Sequence, residues 1–229
     1  MKTNNSWATY VPTTIHETVF ARDSDKQRML DLVSGDLPFP MGGVNGILLY
    51  GVTGTGKSTL AKLLPDAIEN HKTGTRPMME HFEIENESDG RAALRLVRRQ
   101  SDFHPLSGSH HYYVIDEVDL IGKENLDGLK ALMQKPTTIF IFTTNALNKI
   151  PVPLQNRCNC FEFNKAPDSH WLPAVKTMLS LAGVVCGNDQ ALLAVIASCN
   201  GSGRDIKSAV ATMILNWKRR NMSTPTSII

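Results

Sequence analysis

The run Gly51-Val52-Thr53-Gly54-Thr55-Gly56-Lys57-Ser58 constrains this chain more than any other feature. It meets the spacing G-x-x-x-x-G-K-[ST]. In that spacing, glycines let the backbone wrap closely round a phosphate so that several N–H groups point inward. The flanks agree: the apolar run Ile47–Tyr50 predicts a strand before the loop, and the pattern Thr59–Leu64 predicts a helix after it. A helix starting near Lys57 adds the positive end of its dipole to the cradle. Lys57 is then placed to reach β- and γ-phosphates, and Ser58 offers a hydroxyl to magnesium. Gly51, Val52, Thr53, Gly54, Thr55, Gly56, Lys57, Ser58 and Thr59 are therefore the expected nucleotide contacts. A chance glycine loop with an exposed lysine would need neither flank.

Two further runs carry chemistry. In His110-His111-Tyr112-Tyr113-Val114-Ile115-Asp116-Glu117-Val118-Asp119 an apolar strand ends in adjacent carboxylates. Asp116, at the C-terminal end of that strand, is the expected magnesium ligand beside Ser58. Glu117 can orient and deprotonate a water molecule. Solvated acids at a strand end are the plain alternative, and the phosphate loop weighs against it. In Thr143-Thr144-Asn145 the amide of Asn145 can hold the attacking water, although Asn also favours loop starts for turn chemistry alone.

Strand signals occur at Gly46–Tyr50, His81–Glu85, Tyr112–Asp116, Thr138–Thr144 and Asn159–Phe163, with helical patterns at about 57–70, 89–100 and 124–134 between them. This alternation predicts a parallel sheet covered on both faces. The run Ile139-Phe140-Ile141-Phe142 has no polar alternation and reads as a central strand. After Phe163 the pattern changes to helices at roughly 169–183, 188–199 and 204–219, the first capped by Asp168 or Ser169. The expected division is an α/β domain over 1–165, a small all-helical domain over 166–220 and a flexible tail over 221–229.

Hydrophobic residues make up 41% of the 229, enough for a buried core, so whole-chain disorder is not expected. Lys and Arg number 24 against 22 Asp and Glu, so contact with nucleic acid has to come from a local patch. No apolar run approaches the roughly 20 residues of a membrane span, and Met1–Asn5 leads into polar sequence, so neither a membrane nor a secretory route is expected. Cys158, Cys160, Cys186 and Cys199 form no Cys-x-x-Cys pair and no histidine cluster joins them. Reduced thiols in the cytoplasm are the better reading than a structural zinc.

With these motifs in hand, the chain resembles the AAA+ ATPases: Walker A at 51–58, Walker B at Asp116-Glu117 and sensor 1 at Asn145. The resemblance implies a P-loop NTPase fold, an α/β/α three-layer parallel sheet of strand order 5-1-4-3-2 followed by a helical lid, with ATP and Mg2+ as ligands. Within that group the chain is most similar to clamp-loader subunits of the replication factor C small-subunit and phage type. The opening Trp7-Ala8-Thr9-Tyr10-Val11-Pro12 is similar to the W-x-x-K-Y-R-P segment that covers the adenine in that family. Val11 and Pro12 would then lie at the base, with Val11 standing where the family has Arg and Thr9 where it has Lys. Glu87-Ser88-Asp89-Gly90-Arg91 resembles the family's S-D-x-R-G run. Val152-Pro153-Leu154-Gln155-Asn156-Arg157-Cys158 resembles P-L-x-S-R-C, which makes Arg157 an arginine finger acting on a neighbouring subunit's nucleotide. Gly203-Arg204-Asp205-Ile206-Lys207 resembles G-D-x-R-K, which puts sensor 2 at Lys207, with Arg204 as the competing candidate.

Arg91, Arg95, Arg98 and Arg99 recur at helical pitch and share one face. A solvated face with local salt bridges is the ordinary reading. The resemblance implies a helix that tracks a DNA backbone without reading bases. It also implies an oligomer, with like or unlike subunits, joined through ATPase interfaces, with DNA and a sliding clamp or another replication protein as partners. The setting would be the cytoplasm, or a host's cytoplasm for a phage protein. Family members carry a further helical collar, and this sequence ends soon after the lid. A DNA-binding AAA+ regulator, such as a helicase loader or transposition target selector forming spirals or filaments, is the alternative. A non-hydrolysing interaction subunit is a third reading.

Overall fold

The computed structural model describes residues 10–185 and 187–222, with backbone alone at 221 and 222. Trp7 and Thr9 of the opening motif, Cys186, and residues 223–229 of the expected tail lie outside the described residues.

Five strands form one parallel sheet: β1 (Gly46–Tyr50), β2 (Met78–Glu83), β3 (His111–Asp116), β4 (Thr138–Thr144) and β5 (Cys158–Glu162). Their order is β2-β3-β4-β1-β5, the order the resemblance implied. Every residue of β3 and β4 is buried, as the unbroken apolar runs demand of strands covered on both faces. β4 is threaded between β1 and β3. The C-terminal end of β4 therefore falls between the phosphate loop, which leaves β1, and Asp116, which ends β3.

Side chains alternate across the sheet and build two cores. On one face Ile47 and Leu49 of β1 with Val114, Ile139 and Ile141 meet α1 (Asp23–Ser34) and α2 (Lys57–Thr73) through Met29, Leu32, Leu60, Leu64 and Ile68. On the other, Leu48, Tyr113, Ile115, Phe140 and Phe142 meet α3 (Glu87–Gln100), α4 (Lys123–Leu132) and α5 (Val152–Gln155). The remainder is helical: α6 (Asp168–Leu181), α7 (Asp189–Ser198) and α8 (Gly203–Met222) share a third core around Trp171, Val175, Leu192, Ile196, Val210 and Ile214.

Two local expectations are corrected, and one helix is added. β2 ends at Glu83 rather than Glu85, because Asn86 caps α3. The Asn86 side chain accepts from the backbone N–H of Ser88 and Asp89, and Asp89 accepts in return from those of Glu85 and Asn86. That box turns residues 85 and 86 out of the strand. The helix α6 starts at Asp168 with Pro167 in the cap position, so neither Asp168 nor Ser169 is the cap. Helix α1 carried no expectation; its few apolar residues are diluted by charged ones, and only packing on α2 makes Met29 and Leu32 core.

One buried carboxylate pins α2 to the approach of β3. Glu69 is fully buried. Its carboxylate accepts from Thr73 Oγ1 at 2.8 Å, Ser109 N at 2.6 Å, Ser109 Oγ at 2.8 Å and Tyr112 Oη at 2.8 Å. Burial pushes its pKa up, but the hydrogen bonds from Thr73, Tyr112 and Ser109 outweigh that and hold it below the ordinary 4.5. Glu69→Gln leaves donors facing an amide N–H and is expected to cost about 3 kcal/mol at neutral pH in urea unfolding. A carboxylate with a depressed folded-state pKa stabilises fully above its unfolded value and loses that contribution as pH falls through the folded one. The difference between wild type and variant should therefore narrow below about pH 4.5. A gap that does not depend on pH would refute this.

Candidate nucleotide site

The glycine loop takes up the backbone its composition allows. Gly51, Gly54 and Gly56 have φ of 133°, 81° and 98°. Gly51 is also sterically obliged, since a Cβ there would lie 2.4 Å from the carbonyl oxygen of Phe163. Thr55 is buried, and its hydroxyl donates to the Val52 carbonyl at 2.9 Å, which closes the turn. Lys57 opens α2 and is 6% exposed. Its ammonium donates to the Gly51 and Val52 carbonyls at 2.9 and 2.7 Å. Burial lowers its pKa from 10.5 to about 8 against the opposing pull of Asp116, Glu117 and Asp119. A buried cation held only by carbonyl dipoles is well set to receive an anion.

The carboxylate end is organised by β4. Asp116 is buried at the end of β3, and its Oδ1 accepts from Ser58 Oγ at 2.9 Å and from the hydroxyl of Thr143. The Thr143 hydroxyl oxygen in turn accepts from the Glu117 backbone N–H at 3.1 Å. Glu117 adopts φ 55°, ψ 48°, a left-handed conformation that a side chain other than glycine pays for in strain of ~1 kcal/mol. It thereby turns away from the strand line, exposed, into the cleft. Asp119, the last acid of the run, accepts from Thr144 Oγ1 at 2.7 Å and pairs with Lys149 at 3.5 Å. This holds the turn that presents Asn145, which is exposed and lines the cleft.

The cleft has a volume of about 330 Å³. Lys57, Ser58, Glu117, Thr143 and Asn145 give it polar lining. Tyr10, Pro12, Val19, Ala174, Val175 and Met178 add apolar lining to the same cleft. α8 closes over the loop: the Gly203 N–H donates to the Gly54 carbonyl at 3.0 Å. A Cβ at Gly203 would strike the Trp171 ring at 2.3 Å.

Most of the expected residues meet here. Thr53, Gly54, Thr55, Gly56, Lys57, Ser58 and Thr59 line the cleft with Glu117, Asn145, Pro12, Arg204 and Lys207, while Gly51 and Val52 face it through the carbonyls that hold Lys57. Val11 does not line it and is 53% exposed. Lys207 is half-buried with its ammonium 5.9 Å above the Tyr10 ring, and burial lowers its pKa; Arg204 is exposed at the rim. Arg157 does not line the cleft: it lies at the start of β5, where its carbonyl accepts from the N–H of Gly46, at the opposite end of β1 from the phosphate loop. Arg91, Arg95, Arg98 and Arg99 are all exposed on α3, whose other face buries Gly90, Ala93, Leu94 and Val97. Among the described residues none of the four is ion-paired, so the local salt bridges of the ordinary reading are not formed. Thr143 was not singled out from the sequence, although its place in Thr143-Thr144-Asn145 was the available signal. The lid residues Ala174, Val175 and Met178 gave none beyond helical periodicity. The oxygen donors of Ser58 and Asp116, already 2.9 Å apart, suit a hard cation such as magnesium.

Comparison with known proteins agrees with this geometry. Over residues 47–165, just over half of the chain, the sequence matches the ATPase family associated with various cellular activities (AAA). It is 27% identical over 179 residues to DNA polymerase III subunit gamma/tau of Mycoplasma genitalium, covering 70% of this chain and 30% of that one. It is 28% identical over 182 residues to replication factor C subunit 4 of Saccharomyces cerevisiae, covering 74% and 54%. The chain thus spans about a third to a half of the length of these relatives. Thermotoga maritima RuvB shares the fold with a TM-score of 0.67 at 17% identity, covering 91% of this chain and 68% of that one. Among the described residues no helix is long and apolar enough to cross a membrane. The glycine cradle after β1, the adjacent carboxylates at the end of β3 and the polar residue after β4 all fall within the matched span, and the chain belongs to the AAA family of ATPases.

Proposed function

We propose that this protein is an ATP-hydrolysing subunit of clamp-loader type, acting on DNA in replication from the cytoplasm, or from a host's cytoplasm if phage-encoded. The observation that carries this is the convergence of Lys57, Ser58, Asp116, Glu117 and Asn145 on one cleft, joined through the 2.9 Å bond between Ser58 and Asp116. The relatives named for polymerase III and replication factor C support the setting.

In this reading the triphosphate lies along residues 51–59, and Lys57 exchanges its loop carbonyls for phosphate oxygens. Ser58 and Asp116 would hold Mg2+, which when bound neutralises charge on the β- and γ-phosphates. Glu117 takes the proton of a water molecule that Asn145 orients, so the attacking oxygen is activated as it closes on phosphorus. The adenine sits against the apolar lining at Pro12, where Tyr10 and Met178 exclude water. Lys207, or Arg204 beside it, senses the phosphates from the lid. Arg157 cannot serve its own cleft and acts on that of an adjoining subunit. Boundaries near 165 and 220 separate the α/β and lid units.

The four α3 arginines, exposed and unpaired, track the DNA backbone. Substituting Glu at 91, 95, 98 and 99 together should weaken binding to a primer–template duplex at least tenfold and flatten the slope of log K against log salt by about 3 units. Stimulation of hydrolysis by that DNA should disappear. Unchanged DNA affinity in a variant with a wild-type melting temperature would refute the DNA face, and absence of any magnesium-dependent hydrolysis in wild type would refute the enzyme.

A further inference from the structure

Outside the phosphate loop the sheet gathers one more set of donor groups. His81 and Glu83 are two residues apart on β2 and so project to one face, and Glu83 pairs in register with Asp116 of β3. One donor atom from each of His81, Glu83 and Asp116 lies within 4.8 Å of the other two. Sequence spacing could not reveal this set, because β2 and β3 are separated by α3 and meet only through the sheet.

Two observations distinguish the cluster from acids that are merely adjacent. The Nε2 of His81 is buried and has no hydrogen-bond partner among the described residues, an arrangement that needs an explanation in a folded protein. Asp116 is used on one oxygen only: Ser58 and Thr143 both donate to Oδ1, and Oδ2 takes no hydrogen bond among the described residues. The cluster also carries two carboxylates, with Lys57 acting on Asp116 from the phosphate-loop side and Lys62 beside Glu83. Lys62 stands 3.7 Å from Glu83 in a loose pair whose side chains are 46% and 69% exposed.

We propose that His81, Glu83 and Asp116 form a site for a borderline divalent cation, Zn2+ foremost, on the β2 side of Asp116. One imidazole nitrogen and two carboxylate oxygens make a three-ligand set that leaves a fourth, tetrahedral position to water. The nitrogen selects against Mg2+, which keeps to oxygen ligands and its own waters. Mn2+ and Co2+ fit the same donors more weakly than Zn2+. The ion displaces the ammonium of Lys62 from Glu83.

The test uses the full, tag-free chain, stripped of metal and without nucleotide, so it is independent of the ATPase reading. Titration calorimetry with ZnCl2 should show one more equivalent bound by wild type than by His81→Gln or Glu83→Gln, or at least a tenfold loss of affinity in each. Lys62→Gln should bind at least as tightly as wild type. Co2+ substituted into the site should give visible bands of a nitrogen–oxygen set, with no thiolate charge-transfer band. Glu83 is exposed, so its variant keeps the fold, and a matching thermal melt verifies this for both. Equal Zn2+ binding by wild type and both variants, or a Co2+ spectrum of thiolate ligation that persists unchanged in them, overturns the proposal.

Discussion

Replacing Glu117 by glutamine should leave ATP affinity within about threefold of wild type and lower turnover by ~10²–10⁴. The expectation rests on where the backbone puts this residue. Asp116 and Glu117 are neighbours in sequence, yet Asp116 is buried against Ser58 while Glu117 is exposed in the cleft. The left-handed turn at φ 55° separates them, and Thr143 holds it by accepting the Glu117 N–H. Glutamine fits the same space and keeps the same turn, but its amide cannot take a proton from water. Binding should persist because the proposed phosphate contacts belong to the loop and Lys57. A fluorescent-nucleotide titration and a single-turnover assay measure the two quantities. A variant that turns over at the wild-type rate would remove Glu117 from the role of base, and one that fails to bind would make the residue part of the binding site.

Arg157→Ala should cost ~10³ or more in turnover while nucleotide affinity is retained. Gly46 and Tyr50 lie at opposite ends of β1, so the start of β5 is separated from the phosphate loop by ~13 Å of strand. The Arg157 side chain is thus remote from its own cleft, and in the proposed reading it serves that of an adjoining subunit. Charge spreads over the γ-phosphoryl oxygens in the transition state, and a planar cation supplied across an interface stabilises it there. Mixing gives the decisive result. Arg157→Ala subunits keep an intact cleft and Glu117→Gln subunits keep an intact finger, so a mixture should recover a substantial part of the activity that each lacks alone. Additive, near-zero activity of a mixture that co-assembles would exclude catalysis in trans.

Much of the site was legible because its chemistry is local. The cradle needs glycines and a lysine at fixed spacing, and the strand before and helix after are read from short windows. The carboxylates announce themselves as an apolar strand ending in acids. What stayed hidden lies between segments distant in the chain. Thr143 matters only because β4 runs beside β3, which lets one hydroxyl serve both Asp116 and Glu117. Ala174, Val175 and Met178 are ordinary core residues by periodicity, and they face the cleft because the lid folds back over the loop. The end of β2 moved because a capping box competes with the strand for the same two residues.

The sequence by itself determined the parallel α/β class, the phosphate loop with its lysine and serine, and the order of acids at the end of β3. Each of these depends on residues that are neighbours in the chain, where backbone conformation and side-chain period leave few alternatives. Only the tertiary structure decided which clefts those groups share: Asn145, Lys207 and Pro12 inside, Val11 and Arg157 outside, His81 and Glu83 beside Asp116. The reason is that strand order and helix packing bring distant segments together, through crossovers whose sequence carries no record of the neighbour they reach.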